Sequence, residues 1–115
     1  MSTAPENLHW LGVCYYRLGK EKGTLDALFY SVKASEQALG TGHAYGNDGD
    51  GIEGRYVINY TGADGSAIDP SDLEITKVGS VYKLTWSVDG ELQYVGTGID
   101  VDNGVAFIYR ENPDK

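Results

Sequence analysis

The chain repeats part of its own pattern at a fixed distance of 56 residues. Residues 24–32, with the sequence TLDALFYSV, return in residues 80–88 as SVYKLTWSV. Residues 39–42, LGTG, return at the same distance in residues 95–98 as VGTG. A fixed period of this kind indicates that one supersecondary unit is built twice, so we expect both halves of the chain to form the same arrangement of hairpins.

Eight segments of the sequence have the pattern of β-strands. Tyr, Val, Ile, Thr and Trp dominate them, and these residues suit a pleated, half-buried surface. Glycine-rich stretches separate them, and Asp89-Gly90 and Asn103-Gly104 are typical of two-residue type I′ hairpin turns. Only residues 24–39 also fit a helix, and their alternation and strand-like repeat argue against it. The predicted strands span residues 11–18, 24–32, 37–45, 53–60, 72–78, 81–88, 91–99 and 105–110.

The strand pattern predicts an all-β fold. Two four-stranded meanders, residues 11–60 and 72–110, are joined by an irregular stretch, residues 62–71, that contains Pro70. Neither meander can bury a face alone, so we expect both to close into one eight-stranded antiparallel meander barrel, a single domain over residues 1–115. A two-sheet sandwich is the alternative. An eight-stranded barrel has an interior that side chains fill or that just holds one small ligand.

The composition argues against several classes of partner. Nine Lys and Arg against 17 Asp and Glu give a formal charge of −8. Because phosphate binding relies on Lys and Arg, we expect no nucleic-acid partner and no anionic membrane surface. No stretch approaches the roughly 20 apolar residues of a membrane span, and the first residues lack a signal-peptide pattern. Cys14 is the only cysteine, which excludes an internal disulfide, and these features together predict a cytoplasmic protein.

The Asp89-Gly90 turn predicts which side chains of the last hairpins face inward. A two-residue turn places Val88 opposite Glu91 and, counting outward, Trp86 opposite Gln93. The opposite face would then lie outside, with Tyr94, Gly96 and Gly98. The predicted interior set of this hairpin is Tyr82, Leu84, Trp86, Val88, Val95, Thr97 and Ile99.

The 56-residue repeat carries this assignment into the first half, where it predicts a polar pair inside the barrel. Asp26 and His43 become direct or diagonal neighbours on one face. A carboxylate beside an imidazole fits a ligand anchor or a general-base pair, and it also fits two solvated groups at a barrel end. The repeat also places Leu28, Val32 and Leu39 inside. The candidate ligand-binding residues are Asp26, Tyr30, Thr41, His43, Tyr82 and Trp86.

The sequence offers no catalytic nucleophile, metal site or cofactor motif that we assign. Residues 46–53 form an acidic, glycine-rich loop with Asp48, Asp50 and Glu53, but their spacing does not fit a calcium-binding EF-hand. Two histidines are too few for a convincing zinc site. A lone cysteine in an apolar strand, such as Cys14, is expected to be structural.

The glycine-rich face of the predicted sheet favours self-association. A stripe poor in charge on an acidic protein is expected to be covered, and a twofold homodimer is the commonest way. The stripe comprises Ala38, Gly40, Gly42, Tyr94, Gly96 and Gly98.

Four short segments carry a family resemblance: residues 54–56 (GRY), 64–66 (DGS), 82–86 (YKLTW) and 96–99 (GTGI). Their order resembles that of a group of small uncharacterised bacterial proteins with a G-x-Y, D-G-S/T, Y-x-L-T-W, G-x-G-I pattern. The resemblance implies a bacterial origin and no particular activity. The inferred barrel is also similar in outline to avidin-like and lipocalin-like calycins, and fold analogy does not carry function.

These features favour a non-catalytic binding role over the alternatives. A small, partly apolar ligand would enter the barrel at the end marked by Asp26 and His43. One alternative is an enzyme in which His43 is the general base and Asp26 orients it. The other is a structural or protein-interaction module whose barrel interior is filled.

Overall fold

A computed structural model describes residues 10–31, 38–49 and 51–112 of the chain. Eight antiparallel strands, each paired with its neighbours in sequence, close into a barrel when β8 pairs with β1. The described residues contain no helix, so the predicted all-β meander barrel is confirmed. The strands are β1 (Gly12–Leu18), β2 (Leu25–Ser31), β3 (Gly40–Tyr45), β4 (Gly54–Thr61), β5 (Ala67–Val78), β6 (Val81–Val88), β7 (Glu91–Val101) and β8 (Gly104–Glu111).

Strand β5 begins five residues earlier than predicted, at Ala67, and includes Pro70. The register of β4 and β5 shifts between Ile58 and Tyr60, where Asp69 and Pro70 together lie opposite the single residue Asn59. Proline lacks the N–H that a regular ladder needs, and a bulge is one of the few places in a sheet that accepts it. Half of the stretch 62–71 is therefore strand, and a five-residue turn at 62–66 separates β4 from β5.

A second bulge reverses the predicted faces of β7. The Asp89-Gly90 turn has the expected positive φ angles of 52° and 81°. Beyond it, Ser87 pairs with Leu92 but Trp86 pairs with Tyr94, so Gln93 is an extra residue. Because side chains alternate with period two, one extra residue moves the rest of the strand to the opposite face. The prediction that Val95, Thr97 and Ile99 face inward is therefore wrong, and Val88 is also exposed at this end.

In the first half of the chain, the faces predicted for β2 and β3 are also wrong, because they were inferred from β6 and β7 through the 56-residue repeat. Leu25, Ala27 and Phe29 of β2 face the core, while Leu28 is 44% exposed although its repeat partner Leu84 is 1% exposed. The inward-facing residues of β2 and β6 therefore correspond only at an offset that differs from 56 by an odd number of residues. The predicted duplication stays a prediction.

Glycines on β3 and β7 face the interior and make room for aromatic rings. A Cβ on Gly40 would lie 2.3 Å from the Phe29 ring, and one on Gly96 would lie 3.0 Å from the Trp86 ring. Gly42 faces Tyr60 in the same way. The glycines of the predicted outer stripe therefore lie inside the barrel, whereas Ala38 and Tyr94 are exposed. The homodimer stays a prediction.

The barrel core is apolar along most of its length. Trp86 and Tyr82 are buried as predicted, with 4% and 6% of their surface exposed. The described part of the chain contains no helix of the length and apolarity needed to cross a membrane. The largest fully buried side chains are Tyr16, Leu25, Ile58, Leu73, Ile75, Leu84 and Val105.

Candidate functional site: an apolar cavity at one end of the barrel

The two ends of the barrel differ. At the end where β3 connects to β4, the connecting loop folds over the core. The Tyr56 hydroxyl donates to the carbonyl of Ile52 at 2.8 Å, and Asn47 Nδ2 donates to the Tyr56 hydroxyl at 3.0 Å. Asn47 Nδ2 also donates to the carbonyl of Glu53 at 3.0 Å, and the Ile52 side chain packs against the core. We call this end, covered by residues 46–49 and 51–53, the closed end.

At the opposite end, beside the β4–β5 and β6–β7 turns, the core gives way to a cavity of about 150 Å³. Aromatic side chains form most of its wall. Ile68 and Tyr94 lie where the cavity meets solvent, since they are 44% and 38% exposed. We call this the open-end cavity, and the described residues that line it are Cys14, Phe29, Tyr60, Ile68, Ser71, Trp86, Tyr94, Phe107 and Tyr109.

Trp86 and two tyrosine hydroxyls form a hydrogen-bonded group at the cavity. Trp86 Nε1 lies 3.1 Å from the Tyr16 hydroxyl and 3.1 Å from the Tyr60 hydroxyl. The two hydroxyls also hydrogen-bond to each other, and we call them the hydroxyl pair. Tyr16 is fully buried and does not line the cavity, whereas Tyr60 does. This group fixes the indole ring and the Tyr60 ring in the cavity wall.

The cavity is electrically neutral. Among the residues that the structure describes, none that lines the cavity carries a charge at neutral pH, and burial works against any charge there. Burial raises the pKa of the Cys14 thiol far above its ordinary value, so the thiol stays protonated. Burial likewise raises the pKa of the Tyr60 and Tyr109 hydroxyls. The site therefore offers apolar surface, aromatic faces and neutral hydroxyl groups, and no ionic partner.

The predicted Asp26–His43 pair forms, but on the outer surface. The two residues are direct partners across β2 and β3, and His43 Nδ1 lies 3.1 Å from Asp26 Oδ1. Their side chains are 45% and 55% exposed, so the prediction that they face the interior is wrong. His43 was assigned from Ile99, whose face is reversed by the extra residue Gln93. Asp26 was assigned from Tyr82, and β2 does not keep the face of β6 at the 56-residue offset. The pair also lies toward the closed end, away from the open-end cavity.

The other four predicted ligand-binding residues divide between three places. Thr41 is exposed on β3, and Tyr30 lies on the outer face of β2, where it pairs with the exposed Val13. Tyr82 is buried near the closed end, with Lys77 Nζ 5.6 Å from its ring centre. Only Trp86 lines the open-end cavity.

Sequence reasoning missed most of the lining residues. Tyr60 and Tyr109 belong to the alternating segments Tyr56-x-Ile58-x-Tyr60 and Val105-x-Phe107-x-Tyr109, which indicate inward-facing aromatics at the ends of β4 and β8. Those alternations were a usable signal. The 56-residue repeat predicts that Leu28 and Tyr30 face inward, which implies that Phe29 faces outward. Cys14 is expected from the sequence to be structural.

A second concavity, of about 470 Å³, crosses the outer surface of β3 to β6. Its polar groups include Arg55, whose Nε lies 2.9 Å from Glu74 Oε2 on a well-exposed surface. An exposed ion pair of this kind contributes little to stability. Neither concavity includes Asp26 or His43.

The acidic loop 46–53 is organised by its own hydrogen bonds. Glu53 accepts a hydrogen bond from the backbone N–H of Lys77 at 2.7 Å, and Asn47 Oδ1 accepts one from Gly49 at 3.2 Å. Across residues 10–31, 38–49 and 51–112, no group of three or more His, Cys, Asp or Glu side chains is placed to hold a metal ion. Asp50 and Val32 lie outside the described residues.

Comparison of the chain with protein-family models, with curated proteins and with solved structures found no match. The resemblance to small bacterial proteins and to calycins therefore stays a prediction. The site itself carries the functional argument.

Proposed function

We propose that this protein binds one small, uncharged, largely apolar molecule in the open-end cavity, without catalysing its conversion. The observation that carries the proposal is the difference between the two barrel ends. A loop with its own hydrogen bonds closes one end over a packed core, and the other end leaves about 150 Å³ of aromatic-lined space.

The size and chemistry of the cavity support this role. An apolar cavity of about 150 Å³ stays dry and binds a molecule such as benzene. Small-ligand sites are typically concave and mostly apolar, with a few polar groups that set orientation. Four of the lining residues, Tyr60, Ser71, Tyr94 and Tyr109, carry hydroxyl groups in a largely apolar wall. We also propose a cytoplasmic setting, since the single cysteine fits a reducing compartment.

The rival functions have less support. A general-base mechanism needs the imidazole within reach of a bound substrate, and His43 is 55% exposed on the outer surface. A module with a filled interior would leave no cavity at either end. A binding site at the open end uses neither Asp26 nor His43.

The test is a titration of the protein with benzene, followed by nitrogen-edited proton NMR. The chain has two tryptophans, so its two indole N–H signals separate the cavity from the surface. We expect the Trp86 signal to shift in a saturable way. The Trp10 ring centre lies 5.4 Å from Arg110 Cζ, and Trp10 is not one of the lining residues, so its indole N–H signal is expected not to shift.

Two serine substitutions provide a matched control. Ser71→Leu places a larger apolar side chain in the cavity and is expected to weaken or abolish benzene binding. Ser87→Leu makes the same chemical change in the outer concavity and is expected to leave binding unchanged, as is His43→Ala. Absence of a Trp86 shift up to the solubility of benzene, or equal shifts in the folded Ser71→Leu variant, would reject the proposal.

A further inference from the structure

The hydroxyl pair leaves one proton without an acceptor among the described residues. Each tyrosine hydroxyl has one proton to donate, and the indole N–H of Trp86 can only donate. Within the described part of the chain, the hydroxyls of Tyr16 and Tyr60 have the same partners: each other and Trp86 Nε1. One phenolic proton lies between the two oxygens. The second phenolic proton has no oxygen or nitrogen of a described residue to receive it.

Burial decides which hydroxyl holds this proton. Tyr16 is fully buried and stands behind the cavity wall, so a free O–H there would face only packed groups. A buried donor without an acceptor is destabilising, because the group has lost its hydrogen bond to water. Tyr60 lines the cavity, where a ligand or water can accept its proton. The favoured arrangement therefore has Tyr16 donating to Tyr60, and Tyr60 directing its own O–H into the cavity.

We propose that the Tyr60 hydroxyl donates a hydrogen bond to the bound molecule, so that the cavity selects small neutral molecules with an apolar body and one hydrogen-bond acceptor, such as an aryl ketone or ether. This inference rests on the proposed function, because it names the class of ligand for the same cavity. Trp86 strengthens the arrangement: its N–H donates to the oxygens of the pair and polarises the Tyr60 O–H toward the cavity.

The acceptor is expected to be neutral rather than anionic. No Lys, Arg or His of residues 10–31, 38–49 and 51–112 lines the cavity, and the chain carries a net charge of −8. A carboxylate would lose its hydration without gaining an ionic partner, which is strongly unfavourable. A carbonyl or ether oxygen has a much smaller hydration to lose, and one good donor offsets most of it.

The test uses two ligands of nearly the same shape, acetophenone and α-methylstyrene. They differ in that the carbonyl oxygen of the first is a CH₂ group in the second. Both are titrated into the wild-type protein, and binding is followed by the Trp86 indole signal. One neutral hydrogen bond corresponds to a preference for acetophenone of about three- to tenfold.

Two tyrosine variants show which hydroxyl is responsible. Tyr60→Phe keeps the ring and removes the donor, so acetophenone is expected to lose its advantage over α-methylstyrene. Tyr16→Phe removes the other hydroxyl of the pair, and the Tyr60 proton still faces the cavity, so the preference is expected to remain. The wild-type comparison stands whether or not either variant folds.

The outcomes separate the two proposals. Equal binding of both ligands to the wild-type protein would overturn the Tyr60 assignment and leave the proposed function in place. Loss of the preference in folded Tyr16→Phe, or its survival in folded Tyr60→Phe, would also overturn it. Binding of neither ligand, together with no binding of benzene, would reject the proposed function and this inference with it.

Discussion

Replacement of Gly104 by Ala is expected to destabilise the barrel at its closing seam, where β8 pairs with β1. Gly104 looks like a turn glycine in the sequence, because it follows Asn103. In the structure Asp102 and Asn103 form the turn, and Gly104 is the first residue of β8, paired with Arg17. Its φ angle is not in the left-handed region, whereas that of Asn103 is 61°. Glycine is needed here because the two backbones approach closely.

The magnitude follows from that approach. A Cβ on Gly104 would lie 1.9 Å from the carbonyl oxygen of Tyr16, and an ordinary van der Waals contact begins at 3.4 Å. The neighbouring atom is backbone, so β8 must move away from β1. That movement strains the hydrogen bond from the Leu18 N–H to the Asn103 carbonyl, now 2.9 Å. Overpacking costs about 1–3 kcal/mol and a weakened hydrogen bond about 1 kcal/mol, so we expect a loss of about 2–4 kcal/mol.

Urea unfolding followed by tryptophan fluorescence measures this loss, provided that the slope of the transition is unchanged. Two other glycines serve as controls, since a Cβ added to either would have no atom within 4 Å. The φ angle of Gly51 lies outside the left-handed region, so Gly51→Ala should be neutral or slightly stabilising. Gly90→Ala has space but a φ of 81°, so it should cost about 1–2 kcal/mol from backbone strain alone. A Gly104→Ala protein as stable as Gly51→Ala would refute the close-approach argument.

Two further predictions follow from the inward faces. Gly96→Glu is expected to prevent folding, because it directs a carboxylate against the buried Trp86 ring. Thr97→Glu lies on the outer face and should give a folded protein, as judged by circular dichroism. A folded Gly96→Glu protein would show that this face of β7 is not inside the barrel. Burial raises the pKa of Cys14, so above about pH 8.5 the unfolded chain loses a thiol proton that the folded chain keeps, and the free energy of unfolding should fall with rising pH by up to about 1.4 kcal/mol per unit. The contribution of the Cys14 thiol to stability is thus fully present below the pKa of the unfolded chain and is lost as the pH rises above it. In Cys14→Ala the free energy of unfolding should vary less with pH between about pH 8.5 and 10. A pH dependence identical to that of the wild type in this range would contradict the burial argument.

The candidate site was only partly predictable, because its prediction depended on a register. The sequence identified Trp86 as an inward aromatic, and the structure places it in the cavity wall. It also paired Asp26 with His43, and these residues are direct partners 3.1 Å apart. The prediction that Asp26 and His43 face the interior was wrong. A carboxylate and an imidazole on neighbouring strands can meet equally well inside or outside a barrel, so their pairing does not determine the face.

The number and order of the strands were determined by the sequence itself. Alternating apolar residues and turn pairs such as Asp89-Gly90 act over a few neighbours, so their effect on local structure does not depend on the rest of the fold. Eight such segments without long connections predict a meander, and a meander of this length closes to protect its edges. That much needed no knowledge of the tertiary structure.

Only the tertiary structure decided which side chains face the interior and which end holds the cavity. One extra residue in β7, Gln93, exchanges the two faces of the strand beyond it, and no local residue preference signals that bulge. The bulge is selected by packing: it brings Gly96 and Gly98 inside, where only glycine leaves room for Trp86 and Phe107. Such a choice depends on contacts between strands far apart in the chain, and the sequence pattern of a single strand is the same on either face.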